Sequence, residues 1–420
     1  VFLSSQALKN TDLYDVFVGY FDLKRLSDGS CTKPGMRGYP GLDPMQELML
    51  EVVQDMDLGG IETVIDLAAR GGAVALELQR RGLDVHASDP SAAACLALWK
   101  TGIDSHTDFD NPVDMICTIL SADRGNALVR QELWVACNWT RNGGICLIVG
   151  DKDRGFDRYF KEARVIFGEG EILERSRGLR VARLVKTRLE KISLPKPSKT
   201  AREHFFVDAR GQSLLCAAFP GTFSSGKLDP ASKLLLEHLP HGSGRRLLGP
   251  EEANLGFTGR HVLDIGAGYG VLGGFLALEG ASVTMLESDL MSVHSCTKTI
   301  DLNHLNFPEF ETLDEAYERA RRNPNLKHRV LFSDVDSVLD PSEKFDLIVS
   351  NPPFHVGSDL ILDVALEFIR CAERRLTPGG EFWLVANHFL PYEREMARIG
   401  VVREVARERG FKVLTVKKPG

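Results

Sequence analysis

What this 420-residue sequence lacks narrows it first. No apolar run approaches the ~20 residues needed to cross a bilayer, and the N-terminus has no charged start leading into an apolar core. Neither a membrane span nor a secretory leader is expected, and the chain reads as cytoplasmic. The eight cysteines are scattered, with no Cys-x-x-Cys pair and no metal-ligand spacing. That excludes a zinc site or a disulfide framework and leaves buried, reduced thiols. An excess of positive charge is missing too. The 51 Lys and Arg stand against 58 Asp and Glu, a net charge of −7, which is not that of a protein coating nucleic acid wholesale. Because the chain opens on Val1, it is expected to lack its initiator.

What is present is a 43% apolar composition, enough for sizeable cores, in a length that suits about two or three domains. The charge is uneven. Arg175, Arg177, Arg180, Arg183, Lys186, Arg188, Lys191, Lys196, Lys199 and Arg202 are interrupted by only one acid, Glu190. Such a run is either a solvated face or a strip that contacts phosphates.

Residues 1–42 carry turn signals at Ser27-Asp28-Gly29-Ser30, Lys33-Pro34-Gly35 and Tyr39-Pro40-Gly41, and read as an N-terminal extension with one strand at Tyr14–Phe21. Asp43-Pro44 opens a helix over Met45–Asp55, with Asp as N-cap and Pro at the first helical position. A β-α-β pattern follows: strand Thr63–Leu67, helix Ala73–Arg80 and strand Asp84–Ala87. Further strands are expected at Asp114–Leu120 and Ile145–Val149. Strands alternating with helices imply a doubly wound, mostly parallel sheet.

The pattern then repeats. Asp66, Gly72, Gly82, Val85 and Asp89 reappear at one constant offset as Asp264, Gly270, Gly280, Val283 and Glu287. Gly143-Gly144 matches Gly379-Gly380 at a larger offset, and the extra residues fall at Phe307–Lys327, which reads as an inserted helical segment. The fold class is therefore α/β, with two tandem Rossmann-like domains, the N-terminal one degenerate. The expected divisions are an extension at 1–42, a degenerate domain at 43–188, a basic linker at 189–202 and an active domain at 203–420. Degeneracy is read from the turn itself. Asp264-Ile265-Gly266-Ala267-Gly268-Tyr269-Gly270 keeps three glycines, whereas Asp66-Leu67-Ala68-Ala69-Arg70-Gly71-Gly72 has Ala68 and Arg70 at two of those places.

In the second copy four strand ends in series carry suitable groups. The glycine turn follows the strand at Arg260–Leu263, and Val283–Glu287 ends in a carboxylate suited to ribose hydroxyls. Arg329–Ser333 ends in Asp334-Val335-Asp336. The apolar run Phe345–Val349 leads into Ser350-Asn351-Pro352-Pro353-Phe354-His355-Val356-Gly357. There two prolines stiffen the turn and remove backbone donors. An amide, a bare carbonyl and an aromatic face suit a planar base with an exocyclic amino group. By contrast, the helix expected over Ile361–Leu376 has core spacing.

On these residues, 222–420 resemble the class I S-adenosylmethionine-dependent methyltransferases. The glycine turn together with Asn351-Pro352-Pro353-Phe354 resembles the bacterial ribosomal RNA guanine-N2 methyltransferases, which join a degenerate methyltransferase-like domain to an active one. Phe223-Ser224-Ser225-Gly226-Lys227-Leu228-Asp229-Pro230-Ala231-Ser232 and Val385–Tyr392 are similar to the same family, and the wording is nearer the small-subunit (16S rRNA) type.

The resemblance implies S-adenosylmethionine as cofactor, held by Asp264, Gly266, Ala267, Gly268, Gly270, Glu287, Asp334, Val335 and Asn351. It implies Asn351, Pro352 and Phe354 as the catalytic set, the first two accepting hydrogen bonds from a guanine amino group and Phe354 stacking on the ring. Pro353, His355, Gly357 and Asn387 would contact substrate. No metal is implied, the partner is ribosomal RNA or a ribosomal subunit, and a monomer is favoured.

The degenerate copy would serve substrate recognition. Three rivals remain: a large-subunit guanine-N2 enzyme, another amino-group methyltransferase acting on adenine or glutamine, and a non-catalytic RNA-binding assembly protein.

Overall fold

A computed structural model describes residues 23–103, 109, 111–188, 204–224, 226–240, 256–305, 323, 326–353, 355–356, 359–360 and 362–420. The expected strand at Tyr14–Phe21, the linker at 189–202 and nearly all of the expected insert at 307–327 lie outside these residues. The chain divides between residues 201 and 202 into two compact units.

The N-terminal unit begins with a small hairpin, β1 (Lys24–Arg25) and β2 (Cys31–Thr32). It continues through α1 (Pro44–Asp55), β3 (Thr63–Asp66), α2 (Ala73–Arg80), β4 (Asp84–Ala87), α3 (Ala92–Thr101), β5 (Val113–Ile119), α4 (Asn126–Trp139), β6 (Thr140–Asp151), α5 (Phe156–Phe167), β7 (Gly168–Ser176) and β8 (Leu179–Lys186). Asp43 caps α1, its side chain accepting from the Met45 N–H at 2.9 Å, and Pro44 takes the first position, where its missing N–H costs nothing. The sheet runs β4-β3-β5-β6-β8-β7, parallel through β6 and antiparallel at the last two strands. Alternation along β5 splits the core. Ile116 faces the α4 and α5 side with Val129, Leu133 and Phe156, while Met115 and Cys117 face the α1 and α2 side with Met49, Val53 and Leu78.

The second unit opens with a hairpin of β9 (His204–Ala209) and β10 (Gln212–Ala217), then α6 (Pro230–His238). There follow β11 (His261–Ile265), α7 (Val271–Leu278), β12 (Ser282–Glu287), α8 (Leu290–Leu302), β13 (His328–Phe332), β14 (Phe345–Ser350), the short pair β15 (His355–Val356) and β16 (Asp359–Leu360), α9 (Asp363–Arg375), β17 (Leu376–Asn387), α10 (Glu393–Met396), β18 (Val402–Glu408) and β19 (Phe411–Lys417). Its main sheet runs β13-β12-β11-β14-β17-β19-β18, with the first five strands parallel. The two sheets share one topology. The strand that would match β13 beside β4 is absent among the described residues. All eight cysteines are buried and free, and no helix of the described residues is long and apolar enough to cross a membrane.

The basic run resolves into structure over its first part. Arg175 to Lys186 lie on the β7–β8 hairpin. Arg180 pairs with Asp157 and Arg183 with Glu171. Lys186 Nζ donates to the carbonyls of Cys137 and Thr140 at 2.7 Å each. These three cations are engaged within their own unit, and residues 189–202 lie outside the described set.

Candidate active site

The second sheet reverses its order between β11 and β14, the place where such sheets leave a crevice at the carboxyl ends of their strands. Ile265 and Ser350 are paired across that boundary, and the Ser350 hydroxyl donates to the Ile265 carbonyl at 2.8 Å. Gly266 and Asn351 therefore leave the sheet level with each other. The glycine turn needs left-handed backbone, with φ of 73° at Gly266, 59° at Gly268 and 83° at Gly270. A methyl group added to Gly268 would meet nothing within 4 Å, so this glycine faces open space. That is the cradle a close-approaching cofactor requires. Ala267, beside it, is buried.

Asp264 is fully buried below the turn, its Oδ2 accepting from the Gly273 N–H at 2.8 Å in the first turn of α7. It ties strand to helix. Burial pushes its carboxyl up to about 7, against the pull of that hydrogen bond. Asp66 in the first unit is raised to about 7 for the same leading reason. An acid that binds its proton more tightly when folded costs stability as it ionises. The Asp264 contribution is thus lost as pH rises from its ordinary 3.8 towards about 7. Asp264→Asn is expected to flatten the melting temperature across that window, as measured by thermal scans at successive pH values.

Glu287, at the end of β12, is partly exposed. Its Oε2 accepts from the Gly268 N–H at 2.8 Å, and Oε1 from the N–H groups of Ser288 at 2.8 Å and Asp289 at 3.1 Å. Burial and then the Asp289 charge raise its carboxyl to about 7. Asp334 and Val335 follow β13 and are largely buried. Val335 has φ of 49°, a strained choice for a β-branched residue. Asp336 belongs to the frame, pairing with Arg375 at 2.6 Å and Arg374 at 2.7 Å.

Asn351 stands at the rim, with Pro352 buried and Pro353 exposed. Its Nδ2 donates to Asp229 Oδ2 and to Ser232 Oγ, both at 3.0 Å. Both amide hydrogens are used, and Oδ1 accepts from no described residue. Phe354 and Gly357 lie outside the described residues, and His355 is known only as backbone of β15. Asn387 ends β17, the next strand along, and is partly exposed.

The expected degenerate turn has a specific cause. Arg70 stands where Gly268 does, again left-handed at φ 49°. Its N–H donates to Asp89 at 3.0 Å, as Gly268 donates to Glu287. Its guanidinium then lies 3.7 Å from both Asp43 and Asp89, in the space the second copy leaves open. Above it, the Cys31 carbonyl oxygen sits 1.6 Å from where a Cβ on Gly71 would fall, and the Cys31 N–H donates to the Gly71 carbonyl at 3.1 Å. The β1–β2 hairpin closes the turn. Arg70→Gly alone is expected to leave S-adenosylmethionine binding at one per chain, as counted by equilibrium dialysis.

The model of the Methyltransferase small domain family matches residues 214–321 and 309–415. Ribosomal RNA small subunit methyltransferase C of Chromohalobacter salexigens is 30% identical over 301 residues, covering 71% of this chain and 78% of the relative. The chain belongs to the ribosomal RNA small subunit methyltransferase C family. Its Acinetobacter baumannii member is 26% identical over 75% of this chain and 83% of that one. A solved T. thermophilus member, the 16S rRNA N2 G1207 methyltransferase in complex with AdoMet and guanosine, is 35% identical. It covers 95% of this chain and 98% of its own, with a TM-score of 0.78. The tandem α/β plan is that of the family.

Sequence reasoning placed the glycine turn, Glu287 and Asn351 on one rim, and the structure brings them together. It passed over Asp229 and Ser232 as contact residues. Their signal was present in Leu228-Asp229-Pro230, a helix start, but a cap motif does not say what else its carboxylate holds.

Proposed function

We propose that the C-terminal unit transfers a methyl group from S-adenosylmethionine to the exocyclic N2 amino group of a guanine in 16S ribosomal RNA. The observation that carries this is Asn351, level with an open glycine turn at the sheet's switch point, both amide hydrogens taken and its carbonyl oxygen left to accept.

The turn at Gly266, Ala267, Gly268 and Gly270 would take the methionine part of the cofactor, Glu287 the ribose, and Asp334 with the Val335 amide the adenine edge. Bound there, the cofactor supplies an electrophilic methyl carbon. A guanine amino nitrogen is a poor nucleophile because its lone pair is delocalised into the ring. Asn351 Oδ1 and the Pro352 carbonyl accept its two N–H bonds, draw it towards tetrahedral geometry and aim the lone pair. Orientation supplies much of the acceleration, and the same acceptors stabilise the charge that develops on nitrogen. The proton then leaves to water. Phe354 would stack on an extruded base, Pro353, His355, Gly357 and Asn387 would line its approach, and the exposed rings of Phe223 and Phe389 offer faces for neighbouring bases. An rRNA substrate places this work in the cytoplasm.

The test is incubation with labelled cofactor and separate small- and large-subunit rRNA, followed by nucleoside analysis. N2-methylguanosine in the small-subunit RNA is the expected result. Label confined to large-subunit RNA or to adenine would overturn the assignment.

A further inference from the structure

Asp229 and Ser232 belong to the stretch that resembles the family without having been given chemistry. Asp229 is the N-cap of α6, its Oδ2 accepting from the N–H groups of Ala231 and Ser232, both at 3.0 Å. A cap needs no more than that. The same oxygen also accepts from Asn351 Nδ2 at 3.0 Å, across 122 positions of sequence, while the buried Ser232 hydroxyl accepts the other amide hydrogen at 3.0 Å.

This arrangement decides which way the amide faces. An ionised carboxylate only accepts. With the amide inverted, Asn351 would set its own carbonyl oxygen against the Asp229 carboxylate and lose a charge-assisted hydrogen bond. It would also turn an NH₂ group towards the substrate, donor against donor. The platform itself is held at the far end of α6. Arg210, in the turn between β9 and β10, donates to the carbonyls of Leu236 at 2.8 Å, Leu239 at 3.0 Å and Pro240 at 3.0 Å.

We propose that Asp229 and Ser232 are positioning residues for methyl transfer, fixing the Asn351 amide with Oδ1 outward so that it can only accept. The proposal rests on the reading of Asn351 as the acceptor for the guanine amino group. It differs from a capping role in making turnover depend on the hydrogen-bond polarity of the 229–351 pair, not on the stability of α6.

The test uses the full chain, labelled S-adenosylmethionine and 16S rRNA. Ser232→Ala keeps the helix and its backbone caps, and should lower kcat by about three- to tenfold with the cofactor dissociation constant and the melting temperature unchanged. Asn351→Asp sets two carboxylates within hydrogen-bond distance. One must hold a proton, so kcat should survive at low pH and collapse as pH rises. The double variant Asn351→Asp/Asp229→Asn restores one donor and one acceptor with the polarity reversed. It should recover most of the lost rate and remove the new pH dependence.

Normal turnover in Ser232→Ala, or a double variant no better and no less pH-dependent than Asn351→Asp, would overturn the proposal. Asn351→Ala separates the two claims. If it is inactive while the positioning variants behave as the parent, only the positioning role falls. If it turns over normally, the reading of Asn351 falls with it.

Discussion

Asn351→Ala is expected to lower kcat for methyl transfer by about 10²–10³-fold, with a far smaller change in cofactor affinity. The magnitude follows from what the side chain supplies. Its acceptor oxygen is set in place before substrate arrives, because both amide hydrogens are already bound to Asp229 and Ser232. Removing it withdraws an interaction that strengthens as positive charge develops on the guanine nitrogen, so the loss falls on turnover more than on binding. Truncation also leaves the Ser232 hydroxyl and the Asp229 carboxylate to water or to each other. Asn351→Gln lengthens the arm by one methylene, cannot reach the same anchors in the same geometry, and should recover little. Single-turnover rates at saturating cofactor, beside equilibrium dialysis, measure both quantities. A turnover number within about threefold of the parent would remove the amide from the chemistry.

The second large effect lies away from the rim. The side chains of Arg210 and Glu279 are both almost wholly buried and form an ion pair, with a second contact from Arg210 Nη2 to Glu279 Oε2 at 2.9 Å. Arg210 also satisfies three carbonyls at the end of α6. Arg210→Met strands a buried carboxylate and orphans those carbonyls, at a cost of about 3–5 kcal/mol. In a unit of this size that lowers the melting temperature by about 6–20 °C. Removing both charges in Arg210→Met/Glu279→Leu leaves no uncompensated ion, and should regain much of the loss. The excess of the single over the double change, read by calorimetry, is the coupling between the two sites. Because Arg210 holds the helix that carries Asp229 and Ser232, the single variant should also show reduced kcat below its melting transition.

Where sequence reasoning worked, it worked from short spans. The bounds of α2 and β4 in the first unit match their expected ranges residue for residue, because the Gly71-Gly72 turn, the apolar spacing and the alternation at 84–87 all lie within a few residues. The repeat was legible for the same reason: Asp66, the last residue of β3, and Asp264, the last but one of β11, each stand just before a tight turn. The antiparallel strand pairs that finish each sheet, β7–β8 and β18–β19, went unremarked. Their edge strands alternate weakly and expose most of their side chains, so charge masked the period. That is why Arg175 to Lys186 read as a basic strip, when Arg180, Arg183 and Lys186 have partners across a strand or on a helix.

By itself the sequence determined the α/β plan, its duplication, the glycine turn and the stiff Asn-Pro-Pro corner, since each depends on backbone preferences local to its own residues. The tertiary structure alone decided that Asp229 and Ser232 orient Asn351, that Arg70 fills the first copy's cradle, and that Cys31 closes it. Those outcomes depend on hydrogen bonds and contacts between residues far apart in the chain, whose meeting follows from how strands are ordered in a sheet and not from any neighbour in sequence.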